Sequence, residues 1–94
     1  MSRERHRSRV SIIVAVLAAI EREGGEQTVN RILSEANLPY NRLTTFLDEL
    51  ERLEFVSKRE VEGRKIYSLT DKGRKYMKEY ERFRNLSEAF GLRI

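Results

Sequence analysis

Apolar residues recur along this chain with two different periods, and the change of period divides it. Val10, Ile13, Val14, Leu17 and Ile20 follow one another at helical spacing, and Ile12, Val16 and Ala19 make a second apolar face on the same segment. A helix that is apolar nearly all round is covered on more than one side. One side is expected to meet the domain core and the other a second subunit or the last helix, with Ile12 and Val16 assigned to a subunit contact. The stretch 21–26, with Gly24 and Gly25, ends this helix. Val29, Ile32, Leu33 and Ala36 give a shorter amphipathic helix that Thr28 is suited to cap. "ANLP" then breaks it, because Asn37 tolerates the left-handed conformation and Pro39 forbids simple continuation. A third helix, for which Asn41 is the expected cap, carries Leu43, Phe46, Leu47, Leu50 and Leu53 on its buried stripe. Two short amphipathic helices joined by a tight turn predict a helix-turn-helix.

After Leu53 the period changes. "FVSKREV" and "RKIYSL" are rich in β-branched and aromatic residues and are separated by Glu62-Gly63, which predicts a β-hairpin. Glu-Gly is a weaker turn signal than Asn-Gly, so the register stays open. Thr70 is placed to cap a final helix over roughly 71–90, ended by Gly91. In that helix Tyr76, Tyr80, Phe83, Ser87 and Phe90 recur at alternating spacings of four and three, a heptad seam with one polar break. Such a helix is about 30 Å long. Its aromatics either pack on the first helix of their own chain or pair with a second copy. Two aromatic-bearing faces exceed what one small core can bury, so Tyr76, Tyr80, Phe83 and Phe90 are assigned to a dimer interface.

A chain of 94 residues supports one small core. The chain divides into a basic flexible arm (1–9), a core domain (10–70) and a closing helix (71–94). The arm opens like the charged start of a signal peptide, but the apolar run behind it is too short to span a bilayer, and its removal would strip the core of its first helix. No membrane partner is expected. The abundance of Arg, Lys and Glu, with one Gln and no Cys, is the balance of a thermophile surface. The absence of Cys excludes disulfides and thiolate metal sites, and a lone His6 excludes a His cluster. No Gly-rich phosphate loop is present, and the carboxylates sit on exposed helix faces without an apolar pocket to shift them. Neither catalysis nor a cofactor is expected.

Charge placement says more than the net value of +4. The arm holds Arg3, Arg5, Arg7 and Arg9 against one acid; residues 20–56 hold four Arg against eight acids; residues 57–78 hold eight basic residues against three acids. A basic arm and a basic late segment flanking an acidic middle imply a polyanionic partner.

The order of helix, helix-turn-helix, two-stranded hairpin and closing helix resembles a winged helix. "YSLTDKG", Tyr67 to Gly73, resembles the end of the wing and the start of the last helix in MarR-like and PadR-like regulators. "ANLPYNRLTTFLDELERLEFV" is similar to the corresponding segment of small archaeal winged-helix proteins, among them dimeric chromatin-associated ones. The resemblance covers roughly residues 10–90 and departs where the family has Gly and this chain has Glu54. A Glu must enter the left-handed region there, or the helix must end by another geometry. The implied fold is α+β, mainly helical: a winged helix-turn-helix of three helices, a two-stranded wing and a long dimerisation helix. The implied function is a homodimeric double-stranded DNA-binding protein, cytoplasmic and nucleoid-associated, serving as a transcription regulator or an architectural protein. The alternative is a winged helix used as a protein-interaction module of a larger nucleic-acid-processing complex. A MarR-like dimer can also respond to a small effector, although so short a chain leaves little room for a ligand pocket.

In a helix-turn-helix the start of the second helix faces the bases. Tyr40, Asn41, Arg42, Thr44 and Thr45 stand there. Arg bonds guanine O6 and N7, Asn bonds adenine N6 and N7, and Thr bonds a base or lays its methyl on thymine. Tyr40 has a second possible role as a staple against its own helix. Asp48, Glu49, Glu51 and Glu54 come later, where repulsion from phosphate is expected to turn the helix away. On the wing Arg59, Arg64 and Lys65 are the expected phosphate contacts. The arm's Arg3, Arg5, Arg7 and Arg9 suit the minor groove or the backbone.

Overall fold

The computed structural model describes residues 8–94. Its elements run α1 (Arg9–Glu21), β1 (Glu26–Thr28), α2 (Val29–Ala36), α3 (Tyr40–Arg52), β2 (Val56–Val61), β3 (Arg64–Leu69) and α4 (Asp71–Ala89). The three strands form one antiparallel sheet in the order β1-β3-β2. The two-stranded wing of the sequence reading is therefore part of a three-stranded sheet. The added strand is three residues long and exists through its pairing with β3, Glu26 opposite Ser68 and Thr28 opposite Ile66. Nothing local in "EQT" announces a strand, because the ladder that makes it one lies some 40 residues away in the chain.

Local signals place the helix ends. Ser8, Thr28 and Thr70 each cap a helix by accepting a hydrogen bond from the backbone N–H three residues on. Asn37 closes α2 in the left-handed conformation, at φ 59°. The start of α3 differs from the expectation. Pro39, not Asn41, is its N-cap, and Asn41 lies inside the first turn, where its carbonyl accepts the hydroxyls of Thr44 and Thr45 at 3.0 Å. Proline's fixed φ suits a helix entrance, and the missing side-chain cap leaves first-turn N–H groups without a side-chain partner.

The core is built around α1. Ile12, Ile13, Val16, Leu17, Ala19 and Ile20 are all buried, together with Ile32 and Ala36 of α2, Leu43, Phe46, Leu47 and Leu50 of α3, and Val56, Tyr67 and Leu69 of the sheet. Ile12 and Val16 are 3% and 0% exposed within the single chain. Their surface is taken up by the chain's own elements, so the two-sided burial of α1 needs no second subunit. Burial of Tyr67 pushes its phenol above the usual range.

One corner joins α3, the sheet and α4. Glu54 adopts φ 66°, so the Glu in the family's Gly position does enter the left-handed region. The turn is a Schellman closure: Phe55 N–H donates to Leu50 O at 2.9 Å and Glu54 N–H to Glu51 O at 3.0 Å. The peptide oxygens of this corner then receive the start of α4. Thr70 Oγ1 donates to Glu54 O at 2.6 Å, Thr70 N–H to Phe55 O at 3.1 Å and Lys72 Nζ to Leu53 O at 2.7 Å. Gly73 packs against the same place, where an added Cβ would lie 2.3 Å from Phe55 O. The glycine of "LTDKG" is thus required by close approach. Phe55 stacks on Tyr76 of α4, with ring centroids 4.9 Å apart.

This corner generates opposite expectations for two substitutions. Glu54→Gly removes a left-handed penalty of about 1 kcal/mol and should raise the midpoint of urea unfolding. Gly73→Ala forces a methyl group onto backbone and should lower stability by about 1–3 kcal/mol. Equal midpoints for Gly73→Ala and the wild type would contradict the packing described.

Candidate nucleic-acid interface

The exposed face of α3 follows from its buried one. Leu43, Phe46, Leu47 and Leu50 point inward, so at about 100° per residue the opposite side carries Asn41, Thr45, Asp48 and Arg52. Tyr40, Asn41, Arg42 and Thr45 are exposed and Thr44 is half-buried. Tyr40 is 56% exposed and faces outward rather than lying down as a staple. Arg42 leans over the ring of Phe46, its guanidinium carbon 5.8 Å from the centroid. Arg52 shares the outward stripe and was not among the expected contacts; it stands at the far end of the helix, where the pattern gave it no base-ward role.

The wing is a tight hairpin. Val61 pairs with Arg64 across Glu62 and Gly63, whose φ values of 50° and 79° are both left-handed, as a type I′ turn requires. This settles the register. Alternation along the strands puts Ser57, Arg59, Val61, Arg64, Ile66 and Ser68 on one face of the sheet, and Val56, Lys58, Glu60, Lys65, Tyr67 and Leu69 on the other.

The hairpin tip, the start of α2 and the start of α3 enclose a cleft of about 610 Å³. It is lined by Thr28, Val29, Asn30 and Arg31 of the α2 entrance, Tyr40 of α3, and Gly63, Arg64 and Lys65 of the wing. Two helix entrances with their partial positive charge, two wing cations and a phenol hydroxyl converge on one hollow, which is chemistry suited to an anionic backbone. The structure thus brings Tyr40, Arg64 and Lys65 together. It adds Asn30 and Arg31, which sequence reasoning missed because they reach the cleft only through the fold of α2 against the hairpin.

The remaining candidates lie elsewhere. Arg59 is directed back across the sheet, where its guanidinium holds the Glu26 carboxylate with two bonds, of 2.8 and 3.2 Å. Arg9 is the first residue of α1 and pairs with Glu49 of α3. Arg3, Arg5 and Arg7 lie outside the described residues. The acids of α3 largely meet cations of the same chain, Glu49 with Arg9 and Glu51 with Lys58 at 3.5 Å. Tyr67 and Glu51 hold the Lys58 ammonium above its ordinary pKa. Arg42, Arg64 and Lys65 make no ion pair with another described residue.

The far end of α4 carries a second kind of surface. Phe83, Leu86 and Phe90 are 57%, 57% and 77% exposed, while Tyr76 and Tyr80 are half-buried and Ser87 is buried. Tyr76, Tyr80 and Phe83 line an apolar groove of about 440 Å³ with Val10 and Ile94. Leu86 falls outside the heptad seam and was missed for that reason. Among the described residues no helix is long and apolar enough to cross a membrane, and no cluster of His, Cys, Asp or Glu could hold a metal ion.

A helix-turn-helix followed by a hairpin that flanks its second helix is the architecture of a winged helix. The chain belongs to the winged helix-turn-helix family, whose model matches residues 6–88. Similar solved structures include Sso10a-2, a DNA-binding protein from Sulfolobus solfataricus, with 24% identity, 89% of this chain and 85% of that one covered, and a TM-score of 0.79. F93 from STIV, a winged-helix DNA-binding protein, is 20% identical over 83% of this chain and 90% of that one, with a TM-score of 0.71. MepR, a transcription regulator of the Staphylococcus aureus multidrug efflux pump MepA, is 20% identical over 84% of this chain and 60% of that one, with a TM-score of 0.72. No curated protein matches the chain by sequence.

The Glu26–Arg59 pair makes a pH prediction. Hydrogen bonding and charge from Arg59 hold the Glu26 carboxyl below its ordinary value of 4.5. A depressed carboxylate contributes stability that is present above the unfolded pKa and lost as pH falls through the folded one. Wild type should therefore hold a small lead over Glu26→Gln in urea midpoint near neutral pH, small because the pair is exposed, and lose it as pH falls through the depressed folded pKa of Glu26. A gap that persists at low pH would contradict the assignment.

Proposed function

We propose that this protein is a homodimeric regulator that binds double-stranded DNA and acts by binding rather than catalysis. The observation that carries the reading is the cleft where the wing cations Arg64 and Lys65 meet the entrances of α2 and α3. In this reading the phosphate backbone lies in the cleft and the start of α3 enters the major groove. Asn41, Arg42 and Thr45 read base edges from their exposed positions on α3. Thr44, half-buried and bonded back to the Asn41 carbonyl, has a supporting part. Counterion release from the basic side chains supplies much of the affinity. The DNA-binding descriptions of Sso10a-2 and F93 and the regulator description of MepR support this reading.

The homodimer is supported by the apolar surface on α4. Phe83 and Phe90 of the expected seam, joined by Leu86, are large apolar side chains left mostly in water on one helix, the kind of exposed patch that marks an interaction surface. A second copy packed along α4 would cover it and join two DNA-binding surfaces in one molecule. Arg3, Arg5, Arg7 and Arg9 remain candidates for the flanking groove, with Arg9 anchored by Glu49 beside α3.

Two measurements test this. Fluorescence anisotropy with a random-sequence duplex should give binding that weakens steeply with salt, and replacing Arg64 and Lys65 by Gln should flatten the slope of log K against log salt by about 0.9 per lost contact. No binding at low salt would sink the DNA reading. Sedimentation of Phe83→Glu should give monomers from a dimeric wild type, and an unchanged dimer would move the interface away from α4.

A further inference from the structure

We infer that Glu26 is a positioning residue that withholds Arg59 from DNA and so limits the cationic edge of the wing. This inference rests on the DNA-binding reading above and adds a residue that governs its strength. Arg59 lies on the same face of the sheet as Arg64, two rungs from the turn, because Arg59 stands opposite Ile66 and Val61 opposite Arg64. Two rungs correspond to about 7 Å along a strand, so an extended Arg59 side chain would continue the row that Arg64 begins. Instead the guanidinium turns the other way. It crosses β3 to Glu26, whose position opposite Ser68 is a further two rungs from the tip. The two carboxylate oxygens take two guanidinium bonds, and Ser68 Oγ donates a third at 3.3 Å.

The planar fork of arginine matches a carboxylate in the same bidentate way that it matches a phosphate. Glu26 therefore occupies the same donors that a DNA phosphate would need. The other wing cations show the contrast: Lys58 is engaged by Glu51, whereas Arg64 and Lys65 line the cleft. Half of the hairpin's positive charge is thus neutralised within the chain. This confines contact to the tip and keeps sequence-blind affinity low relative to base reading by α3.

The test is a salt titration of binding to a random duplex by anisotropy, comparing wild type, Glu26→Gln and the double variant Glu26→Gln/Arg59→Gln. Circular dichroism melting serves to confirm that each is folded. Glu26→Gln should bind more tightly at low salt and steepen the slope of log K against log salt by about 0.9, so that its advantage shrinks about 3.5-fold between 50 and 200 mM. The double variant, which has the wild type's net charge, should return to the wild-type slope. A Glu26→Gln slope equal to wild type, or a steepening that persists in the double variant, would overturn the inference while leaving DNA binding intact. A wild type that binds no duplex would overturn both. Removing a purely structural staple would lower the melting temperature without steepening the slope.

Discussion

The corner at Leu53, Glu54 and Phe55 is the constraint on which the rest of the molecule depends. Its three carbonyl oxygens receive Lys72 Nζ, Thr70 Oγ1 and the Thr70 N–H. These bonds tie the end of α3 to the start of α4 and, through Leu69 and Phe55, to both long strands of the sheet. The end of α3 and the base of the hairpin are joined here, and the other ends of the same two elements carry Tyr40, Arg64 and Lys65, which line the cleft. A left-handed Glu is an unfavourable way to make such a turn. It is tolerated because the Schellman bonds and the three α4 contacts all act on one short segment, so the surroundings over-determine its conformation.

Electrostatics then selects among the cations that the fold presents. A chain so rich in both signs of charge could have neutralised its whole surface. Instead the pairs fall on particular residues: Arg9 with Glu49, Lys58 with Glu51, Arg59 with Glu26. Exposed pairs of this kind add little stability. Their larger effect is to leave particular cations without a carboxylate partner among the described residues, Arg64 and Lys65 at the tip of the hairpin and Arg42 in the first turn of α3 among them. Of the acids on the later part of α3, which would repel phosphate, Glu49 and Glu51 are answered from within the chain, whereas Asp48 on the outward stripe has no ion pair with another described residue.

Much of this was legible in the sequence, and the exceptions share a cause. The apolar stripes of the three core helices, the capping roles of Thr28 and Thr70 and the left-handed Asn37 are local consequences of spacing and side-chain chemistry, and they stand as read except at Val10 and Leu53, which lie at helix ends and are each 41% exposed. Glu54 was recognised as a departure, and its backbone shows which of the two geometries it takes. What the sequence could not display depends on partners distant in the chain. The strand at Glu26–Thr28 exists only against β3. Ile12 and Val16 read as a surface for a second subunit because nothing local shows that α1 is surrounded by its own chain. Arg59 read as a free wing cation because Glu26 lies 33 residues earlier. Asn41 lost its capping role to Pro39 for a local reason, proline's preset dihedral two residues earlier.

The central claim is that the cleft between the wing tip and the entrances of α2 and α3 receives the DNA backbone. A backbone-amide NMR titration of the labelled protein with a short duplex tests it most directly. The account predicts shifts concentrated at residues 28–31, 40–45 and 62–65, weakening together as salt rises. Shifts confined to residues 76–90, or no shifts at low salt, would contradict it.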